Sequence, residues 1–145
     1  MSTLTSLRRL LLVALVLICP TAAWANIGED LSQLRARYGG AKEVGGQMLF
    51  EHAGFSITVY FDGDNSAMEI FTKTSSEPGK SDLSQEDIDR ILAAEGEGKS
   101  WSPIQVHSGK PTWVRADGKL IARFSPNKDG KADDAAVLVI MLNTK

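Results

Sequence analysis

The sequence predicts an α+β domain: two helices packed on an antiparallel sheet, arranged as tandem α-β-β-β units. Three observations lead there. Apolar residues recur at helical spacing in two short stretches, each closed by glycine. Other runs alternate apolar and polar side chains with the period of a half-buried strand, and turn residues separate them. Finally, features of the first half of the chain return in the second.

Ahead of the domain, residues 1–25 have the three parts of a secretory signal. Arg8 and Arg9 supply the positive start, Leu10 to Ile18 an unbroken apolar core, and Ala23-Trp24-Ala25 the small residues required by signal peptidase. That apolar run falls well short of the roughly 20 residues a membrane span needs. Apolar residues follow Arg8-Arg9 at once, which favours the ordinary secretory route over a twin-arginine one. Leu17-Ile18 before Cys19 do not fit a lipoprotein site, so Cys19 is expected to leave with the signal.

Cleavage after Ala25 would leave residues 26–145, the size of one domain. Such a chain can bury roughly two-thirds of its unfolded surface, enough for a core without staples. It would hold no cysteine, which excludes a disulfide framework and thiol chemistry. Arg8 and Arg9 leave with the signal, so 14 basic residues face 18 acidic ones, a net charge of −4. No Lys/Arg cluster stands out, which argues against nucleic acid and anionic membrane as partners. After signal cleavage no stable membrane insertion is expected, and the localisation expected is periplasmic or secreted.

Glu29 to Tyr38 reads as the first helix. Leu31, Leu34 and Tyr38 form one stripe, Glu29 and Asp30 suit the positive end of the helix dipole, and Gly39-Gly40 stops it. Gln47 to Glu51 is a modest strand candidate. Phe55 to Phe61 is a strong one, with Phe55, Ile57, Val59 and Phe61 alternating with Ser56, Thr58 and Tyr60. Asp62-Gly63-Asp64-Asn65 turns the chain into a return strand over Ala67 to Lys73. Ser75 to Ser81 then reads as a loop.

The second helix opens at Ser84, an N-cap with Asp87 three residues on. Leu83 and Ile88 stand where a hydrophobic staple belongs. Ile88, Ile91 and Leu92 form its buried stripe, and Gly96 suits a left-handed C′ position. Strands are expected at Ile104 to His107, Thr112 to Ala116, Leu120 to Phe124 and Ala136 to Leu142. The last is apolar on both faces, which suggests a central strand or one covered on both sides. It also leaves room for a homodimer through an edge or sheet face.

The two halves, about 26–75 and 82–145, share individual residues. Leu31, Leu34 and Gly39 map onto Ile88, Ile91 and Gly96 at a shift of 57. His52, Gly54, Asp62 and Gly63 map onto His107, Gly109, Asp117 and Gly118 at a shift of 55. The shared pattern is H-x-G-x7-D-G, and both histidines of the chain occupy it. Turn chemistry accounts for it: His-x-Gly in one tight turn, Asp-Gly in the next.

A tandem α-β-β-β arrangement in a small exported bacterial chain resembles the β-lactamase-inhibitor-like proteins. The helix and glycines of DLSQLRARYGGAKEV also resemble the opening of BamE (SmpA/OmlA) domains. That resemblance implies a sheet whose exposed face meets a protein partner. The lipoprotein cysteine and inhibitor-type disulfides of those families are missing, and no binding residue carries over.

Catalytic chemistry is hard to assemble from these residues. There is no G-x-S-x-G elbow, and the serines cluster in loops. His52 and His107 are the candidate general bases, each with a turn role that accounts for it. A metal shared between them would need Asp62 or Asp117 as further ligands, and nothing in the spacing requires one. The stretch SPNKDGKADDAA fails as a calcium loop because Ser125 and Ala136 fall where Asp and Glu are needed. Asp62-Gly63-Asp64-Asn65 fails likewise, with Lys73 at its twelfth position. No metal, cofactor or catalytic residue is therefore assigned.

Trp113 next to Arg115 and Lys110 is how an interface hot spot is built, although a core Trp beneath a helix is the plainer reading. Tyr60 would extend the same patch on an open sheet face. The sequence thus favours a non-enzymatic exported protein that binds another protein through Tyr60, Trp113 and Arg115. The alternative is a small-ligand or metal-dependent enzyme site around His52 and His107.

Overall fold

A computed structural model describes residues 27–74, 82–106, 109–127 and 135–144. Residues 1–26, 75–81, 107–108, 128–134 and 145 lie outside the described residues, and with them the expected signal, the expected loop at Ser75 to Ser81, and His107. Among the described residues two helices, α1 (Leu31–Tyr38) and α2 (Gln85–Glu95), accompany eight strands. Those strands are β1 (Ala41–Val44), β2 (Gln47–His52), β3 (Phe55–Asp62), β4 (Asn65–Lys73), β5 (Trp101–Ile104), β6 (Thr112–Arg115), β7 (Leu120–Ser125) and β8 (Val137–Leu142). All pair antiparallel in one sheet of order β1-β2-β3-β4-β8-β7-β6-β5. The fold is α+β.

Each helix starts where its side chains can satisfy the orphan backbone donors. Asp30 caps α1 in a reciprocal box with Gln33, and Ser84 caps α2 in the same way with Asp87. The expected staple of α2 is present, since Leu83 and Ile88 are both buried. Gly96 differs from expectation. Its φ of −72° is ordinary helix, and the left-handed residues after α2 are Glu97 and Gly98. Space explains the glycine instead: a Cβ at residue 96 would lie 2.6 Å from the Lys99 carbonyl oxygen.

Both helices lie on one side of the sheet. Leu34 and Tyr38 of α1 and Ile88, Ile91 and Leu92 of α2 share one core with Phe50, Ile57, Phe71, Leu138, Ile140 and Ala122. Those strand residues line up across the sheet: Phe50 faces Ile57, Ile57 faces Phe71, and Phe71 faces Leu138. Strand β8 is interior, paired with β4 and β7, so its two apolar faces have a simple cause. An edge-to-edge homodimer through β8 is ruled out by that position.

Two strands depart from the sequence pattern, and both are at an edge. No strand was expected at β1, whose residues Lys42 to Val44 are exposed. Strand β5 begins at Trp101 rather than Ile104 and contains Pro103, which only an edge strand tolerates. An edge strand has one neighbour and little buried surface, so its apolar pattern is weak.

Each half therefore has four strands after its helix, not three. The helix match at a shift of 57 aligns the C-terminal glycines Gly39 and Gly96 but not the N-caps Asp30 and Ser84, which stand 54 apart. The sheet match is one hairpin out of step. Asp62-Gly63 joins β3 to β4, whereas Asp117-Gly118 joins β6 to β7. Counting from each helix, the counterpart of β3 is β7, so the H-x-G-x7-D-G pattern aligns turns that are not equivalent.

Candidate functional site: the open face of the sheet

On the side away from both helices, side chains form two long cross-strand rows. One runs Tyr60, Met68, Met141, Ile121, Val114 across β3, β4, β8, β7 and β6. The other runs Lys42, Leu49, Thr58, Ile70, Val139, Arg123. Every apolar member of these rows is half-buried. On a strand the alternate residues take opposite faces, so these are the partners of the buried set Val59, Glu69, Ile140 and Ala122. A face of this composition at the centre of a sheet is more apolar than solvent alone requires.

Tyr60 belongs to this face, but Trp113 and Arg115 do not. Trp113 is paired with Ala122, which is paired with the fully buried Ile140, and its ring packs against the helix-side core. Arg115 is 6% exposed and anchors the end of α2. It donates through Nη1 to the Glu95 carbonyl oxygen at 3.3 Å and to Glu97 at 3.0 Å. Its Nε and Nη2 grip both oxygens of Asp117 at 3.0 and 2.8 Å. This guanidinium, bonded side-on, holds the Asp117 carboxyl down to about 2. The single patch of Tyr60, Trp113 and Arg115 is thus split between two faces. The period-2 alternation was legible; which parity the helices cover was not.

Trp113 lines a cleft of about 510 Å³ with Asp89, Leu92, Lys99 and Trp101. The Trp101 indole is fixed there by donating to the Leu92 carbonyl oxygen at 2.7 Å. His52, at the end of β2, sits on the helix side with its ring 5.5 Å from that of Tyr38. Its proposed partner His107 lies outside the described residues. Among the described residues no group of three or more His, Cys, Asp or Glu is placed to hold a metal ion.

Beneath the helices lies a feature that the sequence reading missed. Glu69 and Glu95 are both fully buried. Tyr38 donates to one oxygen of Glu69 at 3.1 Å, but among the described residues its other oxygen and both oxygens of Glu95 have no hydrogen-bond partner. Arg37, the nearby cation, is paired with Glu29. Burial, opposed by the Tyr38 hydrogen bond and aided by the charge of Glu29, pushes Glu69 up to about 7. Burial and the charges of Glu69 and Glu29 push Glu95 higher than an ordinary carboxyl. A signal for Glu95 existed: it continues the α2 stripe of Ile88, Ile91 and Leu92 at helical spacing.

Comparison with known proteins adds little to this geometry. No family model matches the chain, and no curated protein does. Among solved structures it is similar to a cysteine-rich secretory protein from Staphylococcus aureus, at 13% identity and a TM-score of 0.42. That match covers 79% of this chain and 42% of the other, so the chain spans less than half the length of that relative. No described helix is long and apolar enough to cross a membrane.

Proposed function

We propose that this chain is an exported, non-enzymatic protein that holds another protein against the open face of its sheet. The observation that carries the proposal is the pair of apolar rows on the face away from both helices. A sheet needs only one covered face to fold, and a solvated second face ordinarily alternates to polar residues. Here Leu49, Tyr60, Met68, Ile70, Val139, Met141, Ile121 and Val114 occupy it instead. The signal-like first 25 residues support a periplasmic or secreted location. The resemblance read from the sequence to β-lactamase-inhibitor-like and BamE (SmpA/OmlA) domains would imply a sheet-face mode.

The test is capture of partners by the full-length chain, tagged after Lys145, from envelope extract and culture medium. Ile70→Asp places a charge at the centre of the face without touching the helix-side core. Capture by the wild type that Ile70→Asp abolishes, with far-UV and near-UV spectra unchanged, supports the reading. Equal capture by both proteins refutes it. Trp113→Ala serves as the counter-variant: it is expected to lower stability while leaving capture intact.

A further inference from the structure

Arg123 sits among the apolar side chains of the open face, and no described residue neutralises it. It projects from β7 between Val139 and Thr112, is half-buried, and its Nε is wholly buried without an acceptor. Among the described residues no carboxylate pairs with it. On the strands of this face the acids are Glu51, on β2, and Asp62, at the end of β3 and three strand spacings from β7. Four strand spacings separate β2 from β7 in the sheet, about 19 Å, which no side chain bridges. The strands of this face thus carry two cations, Lys42 and Arg123, and two acids, Glu51 and Asp62, neither of which reaches Arg123.

We infer that the occupant of this face is a partner protein whose apolar side chains cover the Tyr60 to Val114 row and whose Asp or Glu carboxylate seats on the Arg123 guanidinium. The inference rests on the sheet-face reading and adds the partner's chemistry to it. An apolar surface laid over an unpaired guanidinium strips its water and returns nothing, so a partner lacking an anion at that point is disfavoured. A planar fork with free N–H donors matches a carboxylate in two parallel hydrogen bonds. A second copy of this chain supplies no surplus of anions, because its two further acids would come with two further cations, one of them another Arg123.

Three variants separate the possibilities, each assayed with the full-length chain on whatever Ile70→Asp fails to capture. Arg123→Glu is expected to weaken that association by about 100-fold, the scale for reversing one member of a covered charge pair. Arg123→Lys is expected to retain it within about tenfold, since the charge survives but the fork does not. The introduced amine also permits zero-length coupling. A carbodiimide should then join position 123 to an Asp or Glu of the captured protein, located by mass spectrometry. A partner lost with Ile70→Asp but held by Arg123→Glu within about threefold overturns the carboxylate and leaves the face reading standing. Coupling within the chain, or to a second copy, overturns it as well. If Ile70→Asp loses nothing, the face reading itself falls.

Discussion

Replacing Glu69 by Gln should stabilise this protein, and only where the pH is high enough to matter. Glu69 is fully buried on β4, accepts from Tyr38, and lies near Glu95, also buried and without a hydrogen-bond partner among the described residues. Its carboxyl is raised from 4.5 to about 7, first by burial and then by neighbouring negative charge. A raised folded-state value means that the folded protein holds the proton more tightly than the unfolded chain. Its favourable contribution is complete below about pH 4.5 and is lost as the pH climbs through 7. Well above pH 7 the shift corresponds to about 3 kcal/mol of lost stability. Glutamine keeps an acceptor for the Tyr38 hydroxyl and cannot ionise. Urea denaturation at pH 4.5, 6 and 8 should therefore show wild type and Glu69→Gln within about 1 kcal/mol at the acid end and separated by about 3 kcal/mol at pH 8. Adding Glu95→Gln should flatten the remaining slope. An advantage that is the same at all three pH values, or a variant less stable at pH 8, would refute the account.

Other outcomes follow from the geometry. Gly96→Ala should cost about 1–3 kcal/mol by thermal or urea denaturation, because the new Cβ meets the Lys99 carbonyl at 2.6 Å. Ala53 has a φ of 51° in the two-residue turn between β2 and β3, so Ala53→Asn should stabilise by up to about 1 kcal/mol. Asp117 runs opposite to Glu69. Held down to about 2 by Arg115, it contributes fully above about pH 4 and loses its contribution as the pH falls towards 2. Asp117→Asn should accordingly lower the melting temperature at pH 6 and change it little at pH 2.

Much of the fold was legible because local physics dictated it. Ser84, Asp87, Leu83 and Ile88 announce α2 before any tertiary contact forms, through hydrogen bonds and contacts within one turn. The alternation of β3 and the two apolar faces of β8 are likewise properties of the chain itself. The edge strands β1 and β5 were not legible in full, since a strand with one neighbour has little surface to bury. Their displacement shifted the comparison of the two halves by a hairpin.

What the sequence alone determined is which residues share a face, because the period of a strand is 2 and that of a helix 3.6. Which face the helices cover was decided by the tertiary structure. That choice took Trp113 and Arg115 to the helix side, left Tyr60 and Arg123 on the open side, and sealed Glu69 and Glu95 beneath α1 and α2. A charged residue reads as solvated wherever it stands in a sequence. Only the closing of helices over one face of the sheet removes the water from two carboxyls, and it leaves Arg123 on the other face with no carboxylate partner among the described residues.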